Sequence, residues 1–568
     1  MNIRKSLILL IFLILIISNS FAQKEKTDII WIFLRPQYVE KFSDNKIDYS
    51  QETLTRLSRN HWQTNFSDYF PPENILREIQ KQVTKIRHYS RSLCAYSVLA
   101  TKTEQRKIIS LPYVQDIAAV NVRTIERNRP ENGPLDFGLS KIGSFYGNSL
   151  EQLEQLNITK AHELGLSGAG VKIAVADAGF RKDHEAFEYL KKNQRLIDEY
   201  DFINNDKNVQ DEVAADTAGW ENQHDHGTAV LSCICGYVPE QLIGPAYNAE
   251  ILLAKTEVLG SETRIEEDNY VAALEWAESK NAAIFSTSLG YRDFDDFEYP
   301  FSDLDGQTAV TSRAVNWAFS RGMLVVTAAG NDAYYFEDGG IVTPGDAPGA
   351  LTVGAVDETG QIASFSSYGP TYDGRQKPEI CARGYRTFVA NAYETNAYRY
   401  SNGTSFATPL IAGACALILE KYPHWTPATL ISNMKKFSDR ANLPDRQYGW
   451  GIPDIYQLIT ETTDTTVINI EMTKDILIAP NPVATEANIY IRWNHPDIKP
   501  EDTYTIAIYS IKGEQVFSKQ LSSKSDGMVD RITWNLKNNG GKKVSSGIYL
   551  VKLTGNKMNK INKFTILK

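Results

Sequence analysis

The chain has 568 residues, with 60 lysines and arginines against 69 aspartates and glutamates, a net charge of −9. That balance, with no basic run carrying interleaved aromatics, excludes the electrostatic footprint of a nucleic-acid binder. At 42% hydrophobic and 23% charged residues it reads as a folded chain long enough for several domains, not a disordered one.

In chain order, Arg4 and Lys5 precede an apolar run from Leu7 to Ile17, and Ser20 and Ala22 supply small residues at the cleavage positions. The pattern predicts a secretory signal peptide over 1–22, because the run is too short to span a bilayer; an uncleaved anchor is the alternative. No later stretch reaches the ~18 apolar residues that a membrane helix needs. Residues 23–128 read as a small α+β module, with a strand at Ser92–Ala100, an amphipathic helix at Thr103–Leu111 and a strand at Val114–Val122. Residues 129–146 fall in the Pro- and Gly-bearing stretch RNRPENGPLDFGLSKIGSFY and read as a linker.

From 147 to 460 strands and helices alternate. Strands are predicted at 171–177 (VKIAVAD), 250–255 (EILLAK), 282–289 (AAIFSTSL), 323–330 (MLVVTAAG) and 350–356 (ALTVGAV), with helices such as Asn269–Ser279 and Ala309–Ser320 between them. The strands are near-continuous apolar runs, so both faces are buried, which predicts an α/β domain with a mostly parallel sheet covered by helices. ETTDTT opens a second linker, 461–474. Beyond it, 475–568 carries period-two strands at 487–493, 503–510, 530–536 and 547–554, with a turn at NNGG (538–541), and reads as a β-sandwich. Five cysteines, Cys94, Cys233, Cys235, Cys381 and Cys415, make a poor disulfide framework and show no zinc spacing, so they read as buried thiols.

Three segments of the central domain carry reactive groups. Asp177 ends the strand VKIAVAD, His226 lies in HDHGTAV at the start of an apolar helical stretch, and Ser405 lies in GTSFATP at the start of another. Singly, each has a plain structural role: a loop-capping carboxylate, a surface histidine, a helix-capping serine. Jointly they gain another, because strand carboxyl ends and helix N-termini of a parallel sheet share one rim. There a serine can attack a carbonyl carbon while a histidine takes its proton and passes it to the leaving amine. An aspartate orients and stabilises the imidazolium. The resulting oxyanion needs donors; Asn331, directly after MLVVTAAG, and the Ser405 backbone N–H supply them, with a simple turn residue as the alternative for Asn331.

VADAG, HDHGTAV, TAAGN and GTSFATP, in that order, resemble the aspartate, histidine, oxyanion-asparagine and serine boxes of the subtilisin-like serine proteases, over roughly 147–460. The resemblance implies a secreted serine endopeptidase with an acyl-enzyme intermediate, catalytic Asp177, His226 and Ser405, an oxyanion hole at Asn331, and no cofactor for the chemistry. It further implies that Ser288, Leu289 and Gly290 pair with an extended peptide as an added strand. Ala328, Ala329 and Gly330 would form the opposite pocket wall, with Val342 near the base. Nothing charged falls there, so an apolar or broad preference is expected.

Two departures stand out. Ala178 replaces the family's Ser or Thr, which removes a hydrogen bond to the carboxylate, and Ile243-Gly244-Pro245-Ala246 replaces Gly-Val-Ala-Pro. The alternative left open is a weakly active or inactive subtilisin-fold surface protein that binds peptides or glycans. Adjacent His224, Asp225 and His226 cannot all face one ion from a helix, so no metal is expected there. The acidic stretch Arg292–Asp305 offers carboxylates of the kind calcium takes, without EF-hand spacing; a solvated loop is the alternative.

The flanks carry resemblances of their own. SVLATKTEQRKIISLPYVQDIAAVNV (97–122) resembles the family's inhibitory propeptides, implying a module that assists folding, blocks the cleft and is cleaved off; an accessory domain is the alternative. PNP (480–482), YSIKGEQV (509–516) and SSGIYLVKLT (545–554) resemble the type IX secretion sorting domain, with a carbohydrate-binding sandwich as the alternative. A sorting domain implies a partner in the type IX secretion machinery and passage through the periplasm to the cell surface or beyond.

Overall fold

The computed structural model describes residues 25–42, 45–120, 145–211, 222–258, 263–295, 297–462, 476–479, 487–492, 502–523, 529–555 and 559–566. The signal stretch, nearly all of both linkers and the PNP motif lie outside them. The chain forms two compact units divided at Thr462.

The first unit opens with the predicted α+β module. Its elements include β1 (Thr27–Leu34), α1 (Gln51–Arg59), α2 (Glu73–Gln82), β2 (Lys85–Ser90), β3 (Ala95–Thr101), α3 (Lys102–Ile108) and β4 (Val114–Val120). The strands form an antiparallel sheet in the order β2-β3-β1-β4. The helix start at Lys102 has a local cause: the Thr101 hydroxyl accepts the Glu104 N–H while the Glu104 carboxylate accepts the Thr101 N–H. Strand β1, absent from the predicted elements, is apolar on both faces because both are covered. Ile30, Ile32 and Leu34 pack with Ile75, Ile79 and Ile108 of the module's own helices, whereas Ile29 and Trp31 join the core of the central domain.

The central domain contains β5 (Lys172–Asp177), β6 (Leu196–Asp201), α4 (Asp225–Cys235), β7 (Glu250–Lys255), α5 (Ile265–Ser279), β8 (Ile284–Thr287), α6 (Val310–Ser320), β9 (Leu324–Ala328), β10 (Ala350–Val356) and β11 (Ile380–Arg383). A hairpin of β12 (Thr387–Asn391) and β13 (Ala397–Ser401) then leads into α7 (Thr404–Lys421). Seven strands make one sheet, β11-β10-β9-β8-β5-β7-β6, and every pairing is parallel. Alternation within strands sorts side chains onto two cores. Ile173 and Val175 face α4 and α7, while Ala174 and Ala176 face α5 and α6. The edge strands β6 and β11 were not predicted: LIDEYD carries three acidic residues with no apolar run, and ICAR is too short to show a period.

The N-terminal module docks on α5 and α6 through ion pairs as well as Trp31. Glu278 of α5 accepts from Arg56 at 2.6 Å and Arg91 at 2.8 Å of the module, and from Arg321 of its own domain at 3.0 Å. Arg321 in turn reaches back to Asp68 of the module at 3.0 Å. Burial alone would raise the Glu278 pKa, but Arg321, Arg91 and Arg56 outweigh it and bring the carboxyl down to about 2. A carboxyl depressed below its ordinary 4.5 stabilises the fold above that value, and the gain disappears as pH falls from about 4.5 to 2. The contribution is on the order of 3 kcal/mol. Glu278→Gln is therefore expected to lower the denaturation midpoint at neutral pH and to flatten its acid dependence. A variant with the wild-type midpoint across that window would refute the assignment.

The C-terminal unit is two antiparallel sheets. β14 (Ile476–Ala479), β15 (Ala487–Arg492) and β18 (Val529–Trp534) form one; β17 (Gln515–Ser522), β16 (Thr503–Ser510), β19 (Gly547–Thr554) and β20 (Asn559–Ile566) form the other. Ile489, Ile491 and Trp534 from the first share a core with Ile506, Val551 and Leu553 from the second. The two sheets thus contribute to one hydrophobic core.

Candidate active site

Parallel strands end on the same edge, so the topology gathers there the residues at their carboxyl ends. β9, β8 and β5 are neighbours, and at or just beyond those ends stand Asn331, Ser288-Leu289-Gly290 and Asp177. His226 is the second residue of α4 and Ser405 the second of α7, two helices that share one core beneath the sheet.

Gly227 lets the start of α4 close on the aspartate: a Cβ there would stand 2.2 Å from the Gly179 carbonyl oxygen and 2.9 Å from Asp177 Cβ. His226 Nδ1 donates to Asp177 Oδ1 at 2.7 Å, and Asp177 is fully buried. With its proton on Nδ1, the neutral imidazole keeps a lone pair on Nε2. Burial pulls the His226 pKa down. The Asp177 carboxylate, by charge and by hydrogen bond, with Asp225 behind it, outweighs burial and the opposing Arg399, and holds the pKa above the usual 6.5.

Gly403, at φ +147°, turns the chain into α7 in a conformation that other residues rarely adopt. Ser405 Oγ donates to the Ser288 carbonyl at 3.3 Å, and Ser288 Oγ donates to the Ser405 carbonyl at 2.7 Å. That second bond has a sequence cause. Pro409 lies inside α7 and has no N–H to close the helical bond to Ser405, so the Ser405 carbonyl is left for Ser288. The Phe406 ring lies 6.0 Å from the His226 ring, centroid to centroid. Among the described residues no hydrogen bond joins Ser405 to His226; the hydroxyl is turned towards Ser288.

Asn331 is oriented by the residue before Ser405. The Thr404 N–H donates to Asn331 Oδ1 at 2.9 Å, and the Thr404 hydroxyl lies 3.0 Å from the same oxygen. A backbone N–H can only donate, so Oδ1 must face it and Nδ2 points the other way. A point where Gly403 would carry a Cβ lies 3.6 Å from Ser405 N and 3.7 Å from Asn331 Nδ2, so the two donors border the same volume.

Of the residues expected to hold substrate, Gly290 is exposed, whereas Ala328, Ala329 and Gly330 are buried. Ala329 uses both main-chain groups internally, its N–H to Val353 O at 3.0 Å and its carbonyl to Val342 N–H at 3.3 Å. Val342 lies between the two walls: its γ-methyls would meet a Cβ on Gly290 at 2.2 Å and one on Gly330 at 3.1 Å.

Against known proteins, a family model described as the subtilase family matches residues 168–451, and one described as a secretion system C-terminal sorting domain matches 477–567. Subtilisin BL and Subtilisin Savinase of Lederbergia lenta are each 30% identical over 284 residues, half of this chain and 88% of theirs. The chain belongs to the subtilase family. An alkaline protease of Alkalihalobacillus alcalophilus is 31% identical over 284 residues, and the match spans 63% of its length. The crystal structure of MycP1 with the N-terminal propeptide removed matches at 22% identity and TM-score 0.43, covering 55% of this chain and 98% of that one.

In this subtilase the departure at Ala178 has a visible correlate. Asp177 Oδ1 accepts the Ala178 N–H at 2.8 Å as well as His226, but Asp177 Oδ2 is buried with no hydrogen-bond partner among the described residues. The Ile243-to-Ala246 departure sits behind α7, where Pro245 packs against Gly413. The three residues of His224-Asp225-His226 fan out to separate partners. His224 Nδ1 accepts from Asp211 N–H at 3.1 Å, Asp225 pairs with Arg399 at 2.6 Å, and His226 bonds Asp177. In the acidic stretch, Asp305 is occupied by the Gln307 and Thr308 N–H groups, and Arg292 is paired with Asp338. Sequence reading missed the parts of Thr404, Pro409 and Arg399. The first two lie inside the GTSFATP motif and were legible as helix punctuation, while Arg399 had no signal beyond its charge.

Proposed function

We propose that this protein is a secreted serine endopeptidase in which Ser405, His226 and Asp177 cleave peptide bonds through an acyl-enzyme. The observation that supports this most directly is the 2.7 Å bond from His226 Nδ1 to Asp177, on the sheet edge that also carries Asn331 and borders Ser405. The hydroxyl of Ser405 swings from the Ser288 carbonyl to His226 Nε2, gives up its proton there and attacks the scissile carbonyl carbon. The oxyanion forms between the Ser405 N–H and Asn331 Nδ2. Its collapse breaks the C–N bond as His226 returns the proton to the amine; water, deprotonated by His226, then releases the acyl group.

The exposed Gly290 edge suits a substrate added as a strand, and the Val342 floor between glycines suits a small or medium apolar side chain. The module over 27–120 is the propeptide and intramolecular inhibitor, and 477–567 addresses the chain to type IX export. Asp177 Oδ2, without a hydrogen-bond partner among the described residues, favours a second reading, a catalytically weak or inactive subtilisin-fold surface protein that binds peptides. A fluorophosphonate probe applied to the processed protein decides between them. Labelling of Ser405, lost in His226→Ala, is expected for the enzyme. Correctly processed protein that takes no label would leave a peptide-binding surface protein.

A further inference from the structure

The start of α4 and the strand that feeds Ser405 are joined by a couple with no part in the bond-making steps. β13 runs directly into Asn402, Gly403, Thr404 and Ser405. From it, Arg399 Nη1 donates to Asp225 Oδ1 at 2.8 Å and Nη2 to Oδ2 at 2.6 Å, and Nε donates to Ser401 Oγ at 2.9 Å. Asp225 Oδ1 also accepts the Ala392 N–H at 2.8 Å, beyond the end of β12. One carboxylate, next to His226 in the chain, thus gathers both arms of the hairpin. The exit of that hairpin is held as well, by Gly403 N–H to Gly384 O at 2.8 Å. Both partners are mostly buried, their side chains 8% and 18% exposed, so the two-point fork is shielded from solvent competition.

We propose that Arg399 and Asp225 form a positioning couple that sets the distance between His226 and Ser405 and balances the charge around the imidazole. This rests on the peptidase reading. Packing of α4 against α7 places the two reacting groups on separate helices, and a shift of about 1 Å between them can cost ~10²-fold in rate. The fork fixes that distance by tying the first turn of one helix to the entry of the other. Among the described residues, the charged groups around the imidazole come from three elements. Asp177 on β5 and Asp225 on α4 favour the imidazolium, and Arg399 on β13 opposes it.

The test compares the processed full-length protein with Arg399→Lys, Arg399→Gln and Asp225→Asn, by fluorophosphonate labelling of Ser405 and by kcat, KM and their pH dependence on a chromogenic peptide. Arg399→Gln should reduce labelling rate and kcat by about 10- to 100-fold with KM nearly unchanged. It should also move the acid limb to higher pH, since Asp225 is left uncompensated. Asp225→Asn should move the limb the opposite way. Arg399→Lys keeps the charge without the planar fork, so its kcat should fall while the limb stays at the wild-type position. A purely structural pair would leave the limb fixed in all three. Variants with wild-type kcat and limb would overturn the couple while leaving the peptidase reading intact, and an unlabelled wild type would overturn both.

Discussion

Asp177→Ala is expected to lower kcat by about 10⁴ with substrate binding nearly unchanged, a magnitude carried over from subtilisin. The bond from His226 Nδ1 fixes that tautomer; in the proposed mechanism the carboxylate makes no bond to substrate and stabilises the imidazolium that would form when Ser405 loses its proton. Asp177→Asn separates these two roles. The Ala178 N–H donates to Oδ1 at 2.8 Å and would hold an amide oxygen in the same place, so the tautomer survives while the charge is lost. The asparagine variant should therefore lose less than the alanine variant. Its pH profile carries the sign. His226 sits above its usual pKa, so if it is the base, wild-type activity is expected to disappear as pH falls through that raised value and the imidazole becomes protonated. Without the carboxylate the imidazole reverts downwards and the acid limb moves to lower pH. A limb that stays in place, or a kcat within tenfold of wild type for alanine, would refute the assignment of Asp177.

Asn331→Ala is expected to lower kcat by about 10²–10³, again the cost known for removing one oxyanion donor in subtilisin, with KM and the acid limb unchanged. In the proposed mechanism the donor is pre-set: Thr404 holds Oδ1 through an N–H that can only donate, so Nδ2 would need no reorientation when charge develops on the substrate oxygen. Asn331→Asp probes the same point harder. It keeps an oxygen for Thr404 but sets an acceptor where the donor stood, and should be slower than alanine. Single-turnover acylation of a chromogenic ester checks both. Equal rates for wild type and Asn331→Ala would remove this side chain from the chemistry.

The parallel core was legible because its strands are short unbroken apolar runs. ALTVGAV at 350–356 and EILLAK at 250–255 coincide with β10 and β7 residue for residue. Edge strands were not, since LIDEYD at 196–201 shows neither apolar continuity nor period two until Leu253 and Ala254 pair beside it. In the N-terminal module the capping pair Thr101 and Glu104 marks the start of α3. The apolar TDIIWIFL segment, close behind the signal stretch, gave no such punctuation.

For the site, strand-end and helix-start positions together with the motifs singled out Asp177, His226, Asn331 and Ser405, and the edge shared by β5, β8 and β9 brings their surroundings together. What the sequence by itself determined is local: which segments extend, which coil, where glycine or proline breaks the pattern, and which side chains carry reactive groups. What only the tertiary structure decided is partnership. Successive residues of HDH leave the start of α4 in different directions, and nothing in their order says that Asp211, Arg399 and Asp177 wait there. The physical reason is range. Backbone preference acts over a few residues, whereas a hydrogen bond between positions far apart in the chain exists only once packing has placed both ends.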